Sequence, residues 1–316
     1  MIERNTTELN TGVPAWPRLR LSDWADTRTT LHLWTQIVGK IRMAHAPMLN
    51  HWWHVTLYLS PRGLTTSTIP YRHGAFDIEF DFLDHQLRIR TSDGRRGQVA
   101  LAPKSVARFY AEIMATLDEL DVHTHIHAAP NEVDPAIPFA DDHVHAAYDP
   151  HAVQLFWRQL LQADRVISAF RSGFVGKVSP VHFFWGAMDL ACTRFSGRPA
   201  PPYPDGGVPN CPAWVMREGY SHELASCGFW PGWGEEGAFY AYAYPQPAGF
   251  ADYPVGPDAA LYGATGEFLL PYEAVAATTD PDRFLTEFLD TTYTAAAELG
   301  GWDRAALETD AHHRRR

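Results

Sequence analysis

DTRTTLHLWTQIV, residues 26–38, sets an aspartate eight residues ahead of a tryptophan, and DPHAVQLFWRQLL, residues 149–161, does so again. Around the first copy Leu31, Trp34, Ile37, Val38 and Ile41 recur at helical spacing, and Ser22 and Asp23 can cap a helix running to about Ala44. Shorter anchors follow both copies in the same order. Gly39-Lys40 precedes His51-Trp52-Trp53 as Gly176-Lys177 precedes His182-Phe183-Phe184, and Gly74-Ala75-Phe76 returns as Gly237-Ala238-Phe239. Gly97-Gln98 returns as Gly266-Glu267, and Arg108-Phe109-x-x-Glu112 as Arg283-Phe284-x-x-Glu287. Matches that keep one order predict an internal duplication.

Between the helical stretches the pattern changes to alternation. His51–Ser60, Leu64–Ile69, Ala75–Phe82, Gln86–Thr91 and Gln98–Leu101 read as strands, with turns at Pro61-Arg62-Gly63, His73-Gly74 and Asp93-Gly94. Pro103 then opens a helix to Leu120. The predicted fold is α+β: two α-β4-α units related by a pseudo-twofold axis, with antiparallel sheets and helices on their outer faces. The units would span residues 1–121 and 149–308, joined by a His- and Pro-containing linker, 122–148. An insert, 199–217, has no counterpart in the first unit, and its Pro/Gly content suggests an ordered loop covering a pocket. Residues 309–316 form a basic tail.

Composition narrows the function classes. The 316 residues are 46% hydrophobic and 20% charged, which are globular values. A net charge of −11 opposes nucleic-acid binding, which needs phosphate-neutralising cations. No apolar run is long enough to span a membrane and the opening residues carry no apolar leader, so a soluble cytoplasmic protein is expected. Three cysteines without CxxC spacing read as inert thiols. No P-loop, Rossmann fingerprint, GxSxG elbow or HExxH is present, so nucleotide, flavin, serine-hydrolase and zincin chemistries lack support. Eleven tryptophans and sixteen histidines are the surpluses, and residues 176–233 gather four of the tryptophans with His182, Asp189, Arg194, Arg198, Glu218, His222 and Glu223.

Comparison of the two units suggests what is special. In the first, Phe76, Ile78 and Phe80 face the helices, leaving Asp77, Glu79 and Asp81 to pair across with Arg88 and Arg90, an ordinary solvated face. In the second, Phe239, Ala241 and Ala243 face the helices, and Tyr240, Tyr242 and Tyr244 form a ladder on the open side. Such a ladder implies covered surface: a pocket wall, or a contact with a second copy of the chain. Aligning Gly63 with Gly219 sets Met188 opposite His222 and makes Asp189 and Glu223 diagonal neighbours about 7 Å apart, with Trp185 and Ser221 on the same face. Two carboxylates among aromatic rings would have their pKa values pushed apart, giving an acid and a base, or would hold a divalent metal with a third ligand. Otherwise Glu223 pairs with a neighbouring arginine and Asp189 caps a turn. Lys177, Arg194 and Arg198 could anchor an anionic group. His182, His222 and Glu218 form a 2-His-1-carboxylate set only if the strand is broken, since four residues along a strand span about 13 Å. His123, His125 and His127 alternate in the linker, a metal-like pattern whose plainer reading is an exposed strand face.

GKVSPVHFFWGAMDLACTRFSGR, EGYSHELASCGFWPG and FYAYAYPQPAG together resemble a family of uncharacterised bacterial proteins carried as a domain of unknown function, over nearly the whole chain. The resemblance implies no activity, cofactor or catalytic residue. The residues themselves predict an enzyme for a small, anionic or aromatic metabolite. Asp189, Glu223 and Ser221 would lie at the centre, the wall would be Trp185 and the tyrosines, and a divalent metal is an open option. The rival is a non-catalytic module, either a small-ligand binder or a homodimer contact.

Overall fold

The computed structural model describes residues 14–204 and 208–309. The predicted basic stretch beyond residue 309 and the opening residues lie outside them. A 25-residue helix α1 (Leu21–His45) opens the fold. A 3-10 turn (Asn50–Trp52) and six strands follow: β1 (Tyr58–Ser60), β2 (Gly63–Thr65), β3 (Ile69–Tyr71), β4 (Gly74–Asp81), β5 (Gln86–Thr91) and β6 (Arg96–Ala100). Helix α2 (Val106–Glu119) is capped by Ser105, whose hydroxyl accepts from Arg108 N. The linker leads to α3 (Pro150–Arg171), with Pro at its first position and the Asp149 carboxylate accepting from His151 N and Ala152 N.

The second sheet contains β7 (His182–Phe184), β8 (Asp189–Pro199), β9 (His222–Trp230), β10 (Ala238–Tyr244), β11 (Leu261–Tyr262) and β12 (Phe268–Pro271). Helices α4 (Ala213–Gly219), α5 (Tyr272–Ala277), α6 (Pro281–Leu299) and α7 (Arg304–Leu307) complete the chain. Both sheets are antiparallel, ordered β1-β2-β4-β5-β6, with β3 beside β4, and β11-β12-β10-β9-β8-β7. Mixed helices and antiparallel sheet make the fold α+β. Each sheet holds six strands among the described residues, more than the four of the expected unit; in the first, the expected Leu64–Ile69 strand is divided between β2 and β3.

The sheets meet at their first strands. Leu57, just ahead of β1, exchanges both backbone hydrogen bonds with Phe183 of β7, at 2.9 and 2.7 Å. Buried side chains of both sheets form one contiguous core, with Trp34 of α1 stacked on Phe109 of α2 at 4.5 Å. The acidic face of the first sheet is ion-paired as its alternation predicts: Asp77 lies opposite Arg90, and Asp81, fully buried, accepts from Arg62 and Arg88.

Two local expectations are corrected. The segment from His51 does not begin a strand, because His51 and Trp52 take left-handed backbone angles (φ 54° and 62°) and close a 3-10 turn. The register around Gly219 also differs. β8 pairs with β9 through Leu190↔Phe229, Arg194↔Ala225 and Phe195↔Leu224, while Glu218 and Gly219 end a helix. The repeated anchors therefore do not all fall at like positions: Gly74-Ala75-Phe76 lies in the third strand along its sheet and Gly237-Ala238-Phe239 opens the fourth.

Candidate functional site

The second sheet turns unlike faces to its two sides. Arg194, Cys227 and Ala241 lie against Phe170 of α3 and Leu289 and Tyr293 of α6. On the opposite face Ala191, Thr193, Phe195, Leu224, Ser226, Tyr240 and Tyr242 floor a cavity of about 600 Å³. That volume suits a small molecule. The cavity is walled by parts distant in sequence: Lys40 of α1, the turn at His51–Val55, linker residues His127 to Glu132, the Phe184–Ala187 turn, and Val208–Gly219 with α4. Residues 208–217, the latter part of the insert, thus line the same cavity as Tyr240 and Tyr242. Tyr240 is buried by its own chain, which leaves little of it for a partner subunit.

Helix α1 positions one side of this cavity. Residues 30–42 are buried save the half-buried His32, so each polar side chain there needs a partner. His32, Gln36 and Lys40, four residues apart, share one face. His32 Nε2 lies 2.8 Å from the Gly186 carbonyl and 3.0 Å from that of Trp185. Gln36 bonds both the N–H and the C=O of Asn131, each at 2.8 Å, and Lys40 Nζ donates to Asn131 Oδ1. The stripe therefore fixes the Trp185-Gly186 turn and the Asn131-Glu132 segment relative to each other.

Glycines make the close approaches possible. A Cβ on Gly39 would sit 2.1 Å from the Trp185 ring, and one on Gly186 would sit 2.0 Å from Glu132 Oε1. Five of the nine described non-glycine residues with left-handed φ border this cavity: His51, Trp52, Glu132, Met188 beside Asp189, and Asn210 beside Cys211. Such conformations cost about 1–3 kcal/mol each and persist where the surroundings over-determine them.

The acidic groups of the cavity are Asp189, Glu132 and Glu267. Asp189 Oδ2 accepts from the Tyr240 hydroxyl at 2.5 Å. Burial raises its carboxyl to about 6, although the tyrosine bond pulls the other way. No described residue donates to the Glu132 carboxylate, which is open to the cavity. Desolvation first, and then the charge of Asp189, raise it to about 7. Lys40, held beneath the Trp185 ring at 5.5 Å from its centroid, is brought down to about 8 by burial. At the other end His51 Nδ1 lies 2.9 Å from the Gly219 carbonyl, and its Nε2 lies 2.6 Å from Lys177 Nζ.

Of the predicted residues, Asp189, Trp185, Tyr240 and Tyr242 meet at the cavity, whereas Tyr244 lies off its lining and donates to Pro201 O. Glu223 does not join Asp189. It accepts from Ser196 and Arg198, where the alternative from sequence was Arg194 or Arg217, because the true register turns it from the tyrosine face. Ser221 Oγ lies 3.1 Å from His222 Nδ1, away from Asp189. The three expected anion anchors are engaged elsewhere. Arg194 stacks under Phe170, Tyr293 and Phe174 and donates to Phe170 O, Arg198 donates to Gly300 O and Gly301 O, and Lys177 meets His51. The histidine-carboxylate set does not assemble: His182 is fully buried with Nδ1 on Thr56, and Glu218 accepts from His51 N. Among the described residues no group of three or more His, Cys, Asp or Glu could hold a metal ion. Of the linker histidines, His123 pairs with Asp118 and Asp121, and His127 reaches the cavity.

Sequence reasoning missed Glu132 and Lys40. The available signal was the polar stripe His32, Gln36, Lys40 on an otherwise apolar helix, which demands a buried polar partner.

Nearly the whole chain, residues 16–309, matches the model of a family of unknown function, DUF5996, and the protein belongs to that family. No curated protein and no solved structure matches it. Among the described residues no helix is long and apolar enough to cross a membrane.

Proposed function

We propose that the protein is an enzyme that binds a small, aromatic or compact apolar molecule in this cavity and exchanges protons with it through Glu132 and Asp189. The observation that carries the reading is the unlike setting of two carboxyls in one aromatic enclosure. Asp189 is held by Tyr240 as the ionised member, and Glu132, unpartnered and raised to about 7, is the proton carrier near neutral pH. Carboxylates with ordinary solvation would be fully ionised there and poor acids.

Titration of the two carboxyls by ¹³C NMR tests this. Midpoints near 7 for Glu132 and near 6 for Asp189 are expected. Asp189→Asn should lower the first by removing a like charge, and Tyr240→Phe should raise the second by removing a donor to the carboxylate. If both titrate near the ordinary 4.5 and 3.8, the acid/base reading fails.

The two helix–sheet–helix units are further read as copies of one ancestral unit. Support comes from the Asp-Trp spacing shared by the stretches of α1 and α3. Superposition of the units that fails to bring Trp34 onto Trp157 would remove that support. A cytoplasmic location is proposed from three free thiols, and recovery of the protein from an oxidising compartment would overturn it.

A further inference from the structure

The cavity wall carries three carboxyls, Asp189, Glu132 and Glu267, against a single ammonium, Lys40. The indole N–H groups of Trp52, Trp185 and Trp230 donate to the main-chain carbonyls of Val215, Val55 and Ala187, at 2.9, 2.8 and 3.1 Å. The hydroxyls of Tyr220 and Tyr242 bond each other at 2.9 Å, as do those of Thr193 and Ser226. Tyr240 is committed to Asp189, and the Lys40 ammonium gives one of its three N–H groups to Asn131. The carboxylate acceptors left open are both oxygens of Glu132 and one of Asp189, with Glu267 taking a single bond from Thr265.

Around these acceptors the wall is built of aromatic faces, whose negative quadrupole attracts cations. An anion entering here would meet three carboxyls against the single Lys40 ammonium, and Arg194 and Arg198 are turned elsewhere. A neutral aromatic molecule would fill the volume without offering a charge to Glu132, whose carboxylate is exposed to the cavity.

We infer that the ligand is a small organic cation, a primary amine or ammonium on an aromatic or compact apolar body, whose N–H groups donate to Glu132 and Asp189. This rests on the reading of those carboxyls as the working pair and names the substrate class that they serve. The body lies along the floor between Phe195 and Tyr242. The ammonium holds Glu132 in its charged form, so binding drives the Glu132 proton into solvent.

Calorimetric titration with three matched probes tests this: 2-phenylethylammonium, 2-phenylethanol and phenylacetate. Each is run at about pH 7 in two buffers of unlike ionisation enthalpy, which reads protons released. The ammonium should bind at least about tenfold more tightly than the alcohol, with phenylacetate weakest. Its binding should release about half a proton, since a group near 7 is half protonated there. Glu132→Gln should abolish the release and reduce the preference for the ammonium over the alcohol about tenfold. Asp189→Asn, with its fold checked by near-UV circular dichroism, should reduce the preference as well. Phenylacetate binding best, proton uptake, equal affinity for ammonium and alcohol, or no binding by any of the three would each overturn the inference. Carboxyl midpoints near 7 and 6 in the same protein would then show that the acid/base reading stands and only the substrate class is wrong.

Discussion

Gly39 is a glycine because Trp185 occupies the place of its side chain. The indole is pinned at both ends: its N–H donates to Val55 O at 2.8 Å, and its own carbonyl lies 3.0 Å from His32 Nε2. It cannot retreat from a methyl group built 2.1 Å away, so Gly39→Ala must displace ring or helix. Gly→Ala in a free helix would stabilise by up to about 1 kcal/mol. Here overpacking should reverse that, for a net loss of about 1–3 kcal/mol by urea denaturation. A variant as stable as the parent would mean that the indole is not fixed on α1. At this scale the sequence was legible where parity applied. Tyr240, Tyr242 and Asp189 fall on one face because alternation in a strand permits nothing else. Glu132 sits in NEVDP, a stretch without period, and only its partners on α1 mark it.

At the scale of elements, the register of β9 shows how a single wrong boundary propagates. Reading the chain after Gly219 as strand sets Glu223 on the tyrosine face. In the fold Gly219 ends α4, and β9 presents Leu224 and Ser226 there instead. An odd shift in register exchanges every side chain between faces, so Glu223 and its expected role were lost together. The element that did the displacing is α4, short and without a buried residue of its own, and its hold on the fold is local. Trp52 supplies that hold: its indole donates to Val215 O at 2.9 Å, and Trp214 packs on it at 5.1 Å. Trp52→Phe keeps much of the ring contact and removes the donor, a loss of about 1 kcal/mol concentrated on α4. Limited proteolysis should then cut between residues 199 and 217 severalfold faster, with global stability nearly unchanged. Unaltered cleavage would show that other contacts fasten the insert.

The cavity is a property of the whole molecule, because its walls come from α1, the linker, the β7–β8 turn, the insert and the tyrosine strand. Sequence reading named the tyrosine strand, Trp185 and the insert one by one. It could not show that the linker returns to α1 beside the second sheet, since Asn131 is held there by two polar side chains of α1, Gln36 and Lys40. The same enclosure couples ligand chemistry to stability. Glu132 rises from 4.5 to about 7 on folding, and Asp189 from 3.8 to about 6. Between the unfolded and folded values the native chain holds protons that the unfolded chain has released, so stability falls as pH rises through that window. Below about pH 4.5 the Glu132 term is fully present, and above about 7 it is gone. A net charge of −11 adds self-repulsion in the same direction. Glutamine imitates the protonated acid at every pH, so Glu132→Gln should match the parent near pH 4.5 and melt at a higher temperature from about pH 7 upward. The measurement is Tm against pH for both proteins at constant ionic strength. Parallel curves across the window would mean that the Glu132 carboxylate ionises in the fold as easily as in water, and the cavity would then lack the desolvation on which its proton chemistry depends.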